Sequence, residues 1–193
     1  MSVFCWNCRG AGKPAAVREL RDFALKFAPT VLCIVETQIS GVRVEAFAST
    51  LGYDNSYAIN SQGRSGGIGM FWNNTIDVEI LGDSVYHIDA KIQEAGQDPW
   101  RLTCFYGEAQ TSLRHQTWDL MKNLAALNDL PWVCVGDFNE VLRQEEHQGV
   151  AKRSNAQIHV GNVAENKKIL RFTKINLWSS SSNEREECIY IPL

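Results

Sequence analysis

The run Val31-Leu32-Cys33-Ile34-Val35-Glu36 is apolar and rich in β-branched side chains for five residues, then stops on a carboxylate. A strand with one wet face alternates apolar and polar positions. A run with no polar position reads as a strand covered on both faces, as in the middle of a layered α/β structure. Glu36 then stands at the end of a buried strand, at the rim of its sheet.

The flanks agree with that reading. Upstream, residues 2–6 form a second short apolar run that ends in Asn7, and Cys8-Arg9-Gly10-Ala11-Gly12 supplies a turn before Pro14 opens a helix. Val17, Leu20, Phe23, Ala24 and Phe27 recur at helical spacing, with Arg18, Glu19, Arg21, Asp22 and Lys26 mostly opposite, so this helix lays one apolar stripe on a sheet. Pro29 ends it. Downstream, 53–59, 67–72, 76–81, 86–92 and 101–106 read as strands between Gly, Asn and Asp turns, several alternating as antiparallel pairs do. Gly66, Gly67 and Gly69 precede an apolar strand rather than a helix, which points to close strand packing and not to a phosphate-binding loop. Leu113, Trp118, Leu120, Met121, Leu124 and Leu127 fit a second long helix over 113–130, and the strand pattern returns at 132–135 with Asp137 just past its end. The expected class is α/β, with mixed sheets inside and helices outside.

Past Gly149 the chain turns polar, and a linker boundary is expected near 149–160. Ile169, Leu170, Phe172, Ile175 and Leu177 fit a short amphipathic helix, and 179–187 has the low hydrophobicity of a weakly folded stretch.

Composition bounds the function. With 193 residues and 45% hydrophobic content the chain can bury the core of one domain. Nineteen Lys and Arg against 22 Asp and Glu leave a net charge of −3, so no overall basic coat is present to bind nucleic acid by counterion release. A phosphate substrate would need a local cation instead. Most of the six cysteines sit in apolar runs, as buried free thiols of a reducing compartment do, so an intracellular protein of nucleus or cytoplasm is expected. Cys5 and Cys8 form a C-x-x-C with no second pair at ligand spacing, which argues against zinc or redox chemistry. No apolar run is long enough to span a membrane, no secretory signal core opens the chain, and no obligate protein partner is evident.

Asn7, Glu36, Asp137 and Asn139 stand at or near the ends of expected buried strands, and Tyr106 ends a fifth. Each alone has a structural reading as a turn, a cap or an Asx turn. Together they offer the hard oxygen ligands that Mg²⁺ takes while it keeps waters for substrate.

Phe4-Cys5-Trp6-Asn7-Cys8-Arg9-Gly10, Val35-Glu36-Thr37, Cys104-Phe105-Tyr106-Gly107 and Gly136-Asp137-Phe138-Asn139-Glu140 occur in that order. With Gly63 to Trp72, His87-Ile88-Asp89-Ala90 and Arg114 to Asp119 between them, the chain resembles the endonuclease/exonuclease/phosphatase superfamily over residues 2–158. The nearest likeness is to the endonuclease domain of LINE-type non-LTR retrotransposons of plants. The resemblance implies a four-layer α/β/β/α sandwich of the DNase I-like type with two mixed sheets, incomplete at its C-terminus. Residues 1–158 would form a partial domain and 159–193 a divergent, poorly ordered tail. It further implies Mg²⁺-dependent hydrolysis of DNA phosphodiesters, with Mn²⁺ as a possible substitute and water as nucleophile. Glu36 matches the family's metal-binding glutamate, with Asn7 organising metal and phosphate. Tyr106 matches the hydroxyl at the phosphate, Asp137 the aspartate that prepares water, and Asn139 the amide on a phosphate oxygen.

Two departures stand beside these matches. Arg9 occupies a position that many members give to an acidic or amide residue. The family's closing Ser-Asp-His segment has no counterpart, since His87, His115, His147 and His159 all lie in other contexts. The chain is thus expected to stop before the histidine that completes the site. A non-catalytic remnant and a phosphoesterase of another substrate are the rival readings.

Overall fold

The computed structural model describes residues 1–139, 169–171, 175–178 and 185–192. They build two sheets. The first runs in the order β10 (Ile175–Trp178), β11 (Arg185–Pro192), β1 (Ser2–Asn7), β2 (Val31–Val35), β4 (Ser65–Trp72), β3 (Asn55–Gln62). The second runs β5 (Ile76–Ser84), β6 (His87–Glu94), β7 (Trp100–Tyr106), β8 (Trp132–Asp137), β9 (Ile169–Arg171). Both are mixed. β1 and β2 are parallel in the first, β7, β8 and β9 are parallel in the second, and the remaining neighbours are antiparallel.

The burial of Val31 to Val35 follows from this layering. Val31, Cys33 and Val35 point into a core between the two sheets, where they meet Ile88, Ala90, Leu102, Cys104 and Val135. Leu32 and Ile34 point the other way, into a second core with Leu20 and Phe23 of α1 (Pro14–Phe27). Each Val, Leu or Ile so buried contributes about 1.5–3 kcal/mol, so the strand is fixed from both sides. A third core lies under α4 (Arg114–Ala126), where Met121 and Leu124 cover Phe105, Trp132 and Cys134 of the second sheet. Helix, sheet, sheet and helix make the expected four layers.

Several local expectations change. Two short helices, α2 (Gly41–Glu45) and α3 (Ala48–Leu51), fill the outer layer before β3 and were not expected. They explain one glycine, because a Cβ on Gly69 would lie 2.5 Å from Val44 of α2. The amphipathic helix expected over 169–177 is corrected to strands β9 and β10, whose pairing with β8 and β11 outcompetes a periodicity carried by few residues. Three strands also come from the segment read as a poorly ordered tail. β11 pairs along all of β1, with Cys5 opposite Ile189 and Asn7 opposite Glu187. Ile189 and Ile191 enter the core between the sheets, while Tyr190 stacks on Phe27 with ring centroids 5.3 Å apart. The boundary expected near 149–160 lies outside the described residues.

The second sheet also holds a buried ion pair. Asp89 of β6 and Arg101 of β7 are each 1% exposed. Arg101 Nε donates to both carboxylate oxygens at 2.8 and 3.0 Å, and Nη1 donates to the Leu124 carbonyl near the end of α4. Nη2 lies 2.8 Å from Asp89 Oδ2, in ion-pair range but outside hydrogen-bond geometry. Thr103 donates to Asp89 Oδ1, Trp132 Nε1 donates to Thr103, and the guanidinium carbon lies 4.5 Å from the Trp132 ring centre. α4 is thereby tied to the sheet by charge as well as by apolar contact.

Candidate active site

Two pairs of parallel strands, one in each sheet, end side by side. Asn7 lies opposite Val35 in the β1–β2 pair, which puts Glu36 beside it, and Tyr106 lies opposite Asp137 in the β7–β8 pair. The two ends meet across the sandwich, where Asn7 Nδ2 donates to Asp137 Oδ2 at 2.8 Å. Residues 130 apart in sequence are thus joined directly.

Asp137 is held at both oxygens. Its Oδ1 accepts from the Asn139 backbone N–H at 2.9 Å, an Asx turn, and the Asn139 amide donates to the Gly107 carbonyl at 2.7 Å. The Gly107 N–H returns to the Asp137 carbonyl at 2.7 Å. Neither glycine here is replaceable: a Cβ on Gly107 would lie 2.2 Å from the Phe138 carbonyl oxygen. One on Gly136, whose φ is +141°, would lie 1.8 Å from that of Phe105. These close approaches let the loop fold back over the strand end.

Asn7 gives its oxygen to the Arg9 backbone N–H at 3.1 Å, so its amide is oriented with the nitrogen toward Asp137. Glu36 accepts from Gln38 Nε2 at 3.0 Å. The Tyr106 phenol is pushed up to about 12, first by burial, then by the Glu36 charge, with a smaller push from Asp137 and an opposing pull from the Asn139 amide. It is a neutral hydrogen-bond donor among two carboxylates and an amide. All five residues singled out from sequence, Asn7, Glu36, Tyr106, Asp137 and Asn139, are therefore brought together.

The backbone around them is strained. Arg9, Glu36, Gln38 and Asn139 have φ between +46° and +58°, and the one other described non-glycine residue with positive φ, Ala28, caps a helix. Such a conformation costs about 1–2 kcal/mol per residue. Here it is held by backbone hydrogen bonds from Cys8 to Val35, Gly10 to Glu36, Ala11 to Thr37 and Gln38 to Gly66, at 2.8–3.1 Å. The strain is thus concentrated at the edge where these residues meet and is stabilised by its surroundings.

The donor set suits one kind of metal. Among the described residues no three His, Cys, Asp or Glu side chains gather as a metal cage. Both carboxylates keep free lone pairs, Asp137 accepting one hydrogen bond at each oxygen and Glu36 accepting from Gln38 at one. Mg²⁺ accepts such a site, since it binds through one or two carboxylates and completes its shell with water and phosphate oxygens. Zinc does not fit. Cys5 faces the core between the sheets and Cys8 the core under α1, so the C-x-x-C does not converge. Cys8 Sγ donates to the Val35 carbonyl, and burial pushes its thiol up to about 12. His87 pairs with Ser84 and His115 with the Ser112 carbonyl, neither with a site residue, and His147 and His159 lie outside the described residues.

Sequence reasoning missed Gln38, which holds Glu36, and Gly107 and Gly136, which shape the loop. It also missed a polar cleft next to the site, lined by Asn60, Gln62, Ser65, Tyr86, Tyr106 and Glu108. Glu108 is one residue past a site motif, but nothing in its local pattern marks it.

Two mixed sheets packed face to face, with phenol, amide and carboxylate groups at the shared ends of their parallel strands, define a DNase I-like α/β sandwich. The chain belongs to the Endonuclease/Exonuclease/phosphatase family, whose model matches residues 4–186. The match therefore extends through the segment that the motifs alone did not reach. An AP endonuclease from Archaeoglobus fulgidus is similar in structure, with a TM-score of 0.65 and 14% identity over 95% of this chain and 80% of that one. So is the Xenopus laevis APE2 catalytic domain, with a TM-score of 0.63 and 15% identity over 98% and 82%. The endonuclease domain of TRAS1, a telomere-specific non-LTR retrotransposon, aligns with a TM-score of 0.60 and 14% identity over 86% and 71%. At these identities the likeness is one of fold. No curated protein sequence matches the chain. Among the described residues no helix is long and apolar enough to cross a membrane.

Proposed function

We propose that the chain hydrolyses phosphodiester bonds in DNA, using water as nucleophile and a divalent cation, Mg²⁺ or in its place Mn²⁺. The observation that carries this reading is Asp137, a carboxylate fixed by Asn7 and by the Asn139 backbone beside a neutral phenol. A carboxylate held this way orients a water molecule and accepts its proton as the oxygen attacks phosphorus in line with the leaving oxygen. Tyr106 donates a hydrogen bond to a non-bridging phosphate oxygen, and the Asn139 N–H that bonds the Tyr106 hydroxyl in the free chain turns to the same group. Glu36, with Asn7 beside it, would hold the cation, which supplies Lewis-acid stabilisation of charge on the phosphoryl oxygens. The ordered motifs from Phe4 to Asn139 support placing the chain with plant LINE-type endonucleases, and the buried thiols support nucleus or cytoplasm.

A second reading has an observation of its own. No Asp-His pair occurs in the sequence, and the described residues bring no histidine to the site that would protonate the leaving oxygen. A remnant that keeps the fold with little or no turnover follows from that.

The deciding experiment is nicking of supercoiled plasmid in Mg²⁺ against EDTA, beside Glu36→Ala and Asp137→Ala. Metal-dependent nicking is expected, with each substitution lowering it by about 10²-fold or more. Nicking that survives both substitutions removes the assigned site. A chain that folds and never nicks is the remnant.

A further inference from the structure

The polar cleft beside Tyr106 is small and open to solvent. Its walls are the β3–β4 hairpin, the turn before β6 and the loop after β7. Among the described residues that line it, Glu108 is the one charged side chain, with no Lys or Arg beside it. Glu108 Oε2 accepts from the Tyr86 hydroxyl at 3.0 Å and Oε1 from the Gln110 backbone N–H at 2.8 Å, so the carboxylate is held in place with a lone pair left on each oxygen. Burial and the Glu108 charge both raise the Tyr86 phenol, keeping it neutral.

A cleft next to a phosphate site whose described lining carries a carboxylate and no cation disfavours a further phosphate. It favours a neutral group that donates hydrogen bonds. The part of a nucleic acid that fits is the base: flat enough to lie along the Tyr86 ring, and in cytosine carrying an exocyclic amine that a carboxylate accepts. We propose that this cleft is a nucleobase subsite for the nucleotide next to the scissile phosphate, with Glu108 as the residue that selects an amine-bearing base. The proposal rests on the nucleic-acid phosphodiesterase reading above. It adds a preference which the phosphate site alone does not create, because a phosphate is the same in every nucleotide.

The test is fluorescence anisotropy in Mg²⁺ with labelled, phosphorothioate-linked octamers of dC and dT, which resist hydrolysis during the measurement. Cytosine carries an amine where thymine carries a carbonyl, and the two are otherwise close in size. The wild-type chain is expected to bind the dC octamer at least about fivefold tighter. Glu108→Gln replaces one acceptor by a donor, and Glu108→Ala removes both acceptors. Either is expected to bring the ratio below about twofold, with circular dichroism confirming the fold of each variant. Equal binding of the two octamers by wild type, no measurable binding of either, or a preference that both variants retain overturns the proposal. Turnover of bis(p-nitrophenyl) phosphate by the wild-type chain in Mg²⁺ is read separately. That substrate has no base, so its failure counts against hydrolysis and leaves a dC preference standing as evidence for the subsite.

Discussion

Asp137 has a partner for each carboxylate oxygen before any substrate arrives, and this preorganisation separates it from a surface aspartate. The Asn7 amide comes from the other sheet, so the orientation of Asp137 depends on how the two sheets sit together. His87 behaves in the opposite way. It is 5% exposed, and Ser84 Oγ lies 2.7 Å from its Nδ1. The Tyr86 backbone N–H donates to Ser84 Oγ, which leaves the serine's own proton for Nδ1. Burial lowers the His87 pKa below its ordinary 6.5, with Arg101 adding to the fall and Asp89 and Asp83 opposing it. The folded chain therefore prefers the neutral ring. Below 6.5 the unfolded chain takes up the proton first, so the stability contributed by His87 is present above 6.5 and is lost as the pH falls through it toward the folded value. Urea melts at about pH 7.5 and about pH 5.5 should show wild type losing more midpoint on acidification than His87→Gln. An equal loss in both would assign the acid sensitivity to other groups.

At the scale of the element, the Asp89–Arg101 pair shows why part of this molecule was illegible in its sequence. Asp89, Lys91, Arg101 and Thr103 alternate with apolar residues, the pattern of a strand with one wet face. Only when α4 is laid across that face does it become interior. Glu36, Asn7 and Asp137 were legible because each ends a run whose double-sided burial is written in consecutive residues, as in Val31 to Val35. The helices at 41–45 and 48–51 are too short for a period, and Ile169 to Leu177 carry too few apolar positions to separate helix from strand. A prediction belongs to the ion pair. Removing one partner leaves a buried charge alone, so Asp89→Asn or Arg101→Met is expected to cost about 3–5 kcal/mol. Changing both, Asp89→Leu with Arg101→Met, is expected to cost much less than the sum of the singles. A double-mutant cycle from urea denaturation measures the difference, and additive losses would show that the pair does not act as a unit.

For the whole molecule, the strand that carries Asn7 is the one most exposed to events far along the chain. β1 has β2 on one side and β11 on the other, and the β11 register runs the length of β1 up to Asn7 opposite Glu187. Without β11, β1 becomes an unpaired edge whose N–H and C=O groups invite pairing with another molecule. The core between the sheets also loses Ile189 and Ile191, and α1 loses the ring of Tyr190 stacked on Phe27. Loss of each buried isoleucine side chain costs about 2–5 kcal/mol, comparable with the whole stability of a domain. Ending the chain after residue 184 is therefore expected to give aggregation-prone protein with fast amide exchange along β1. Ile191→Ala, which keeps the backbone pairing, is expected to lower stability by about 2–5 kcal/mol while β1 amides stay protected in the folded fraction. The pairing of variants separates the two roles. If the shortened chain keeps slow exchange at Phe4 to Asn7, β11 is an accessory to a first sheet that stands without it. If exchange there rises in the shortened chain alone, the position of Asn7 against Asp137 depends on a strand almost 180 residues away in sequence, although both site residues lie within the first 139.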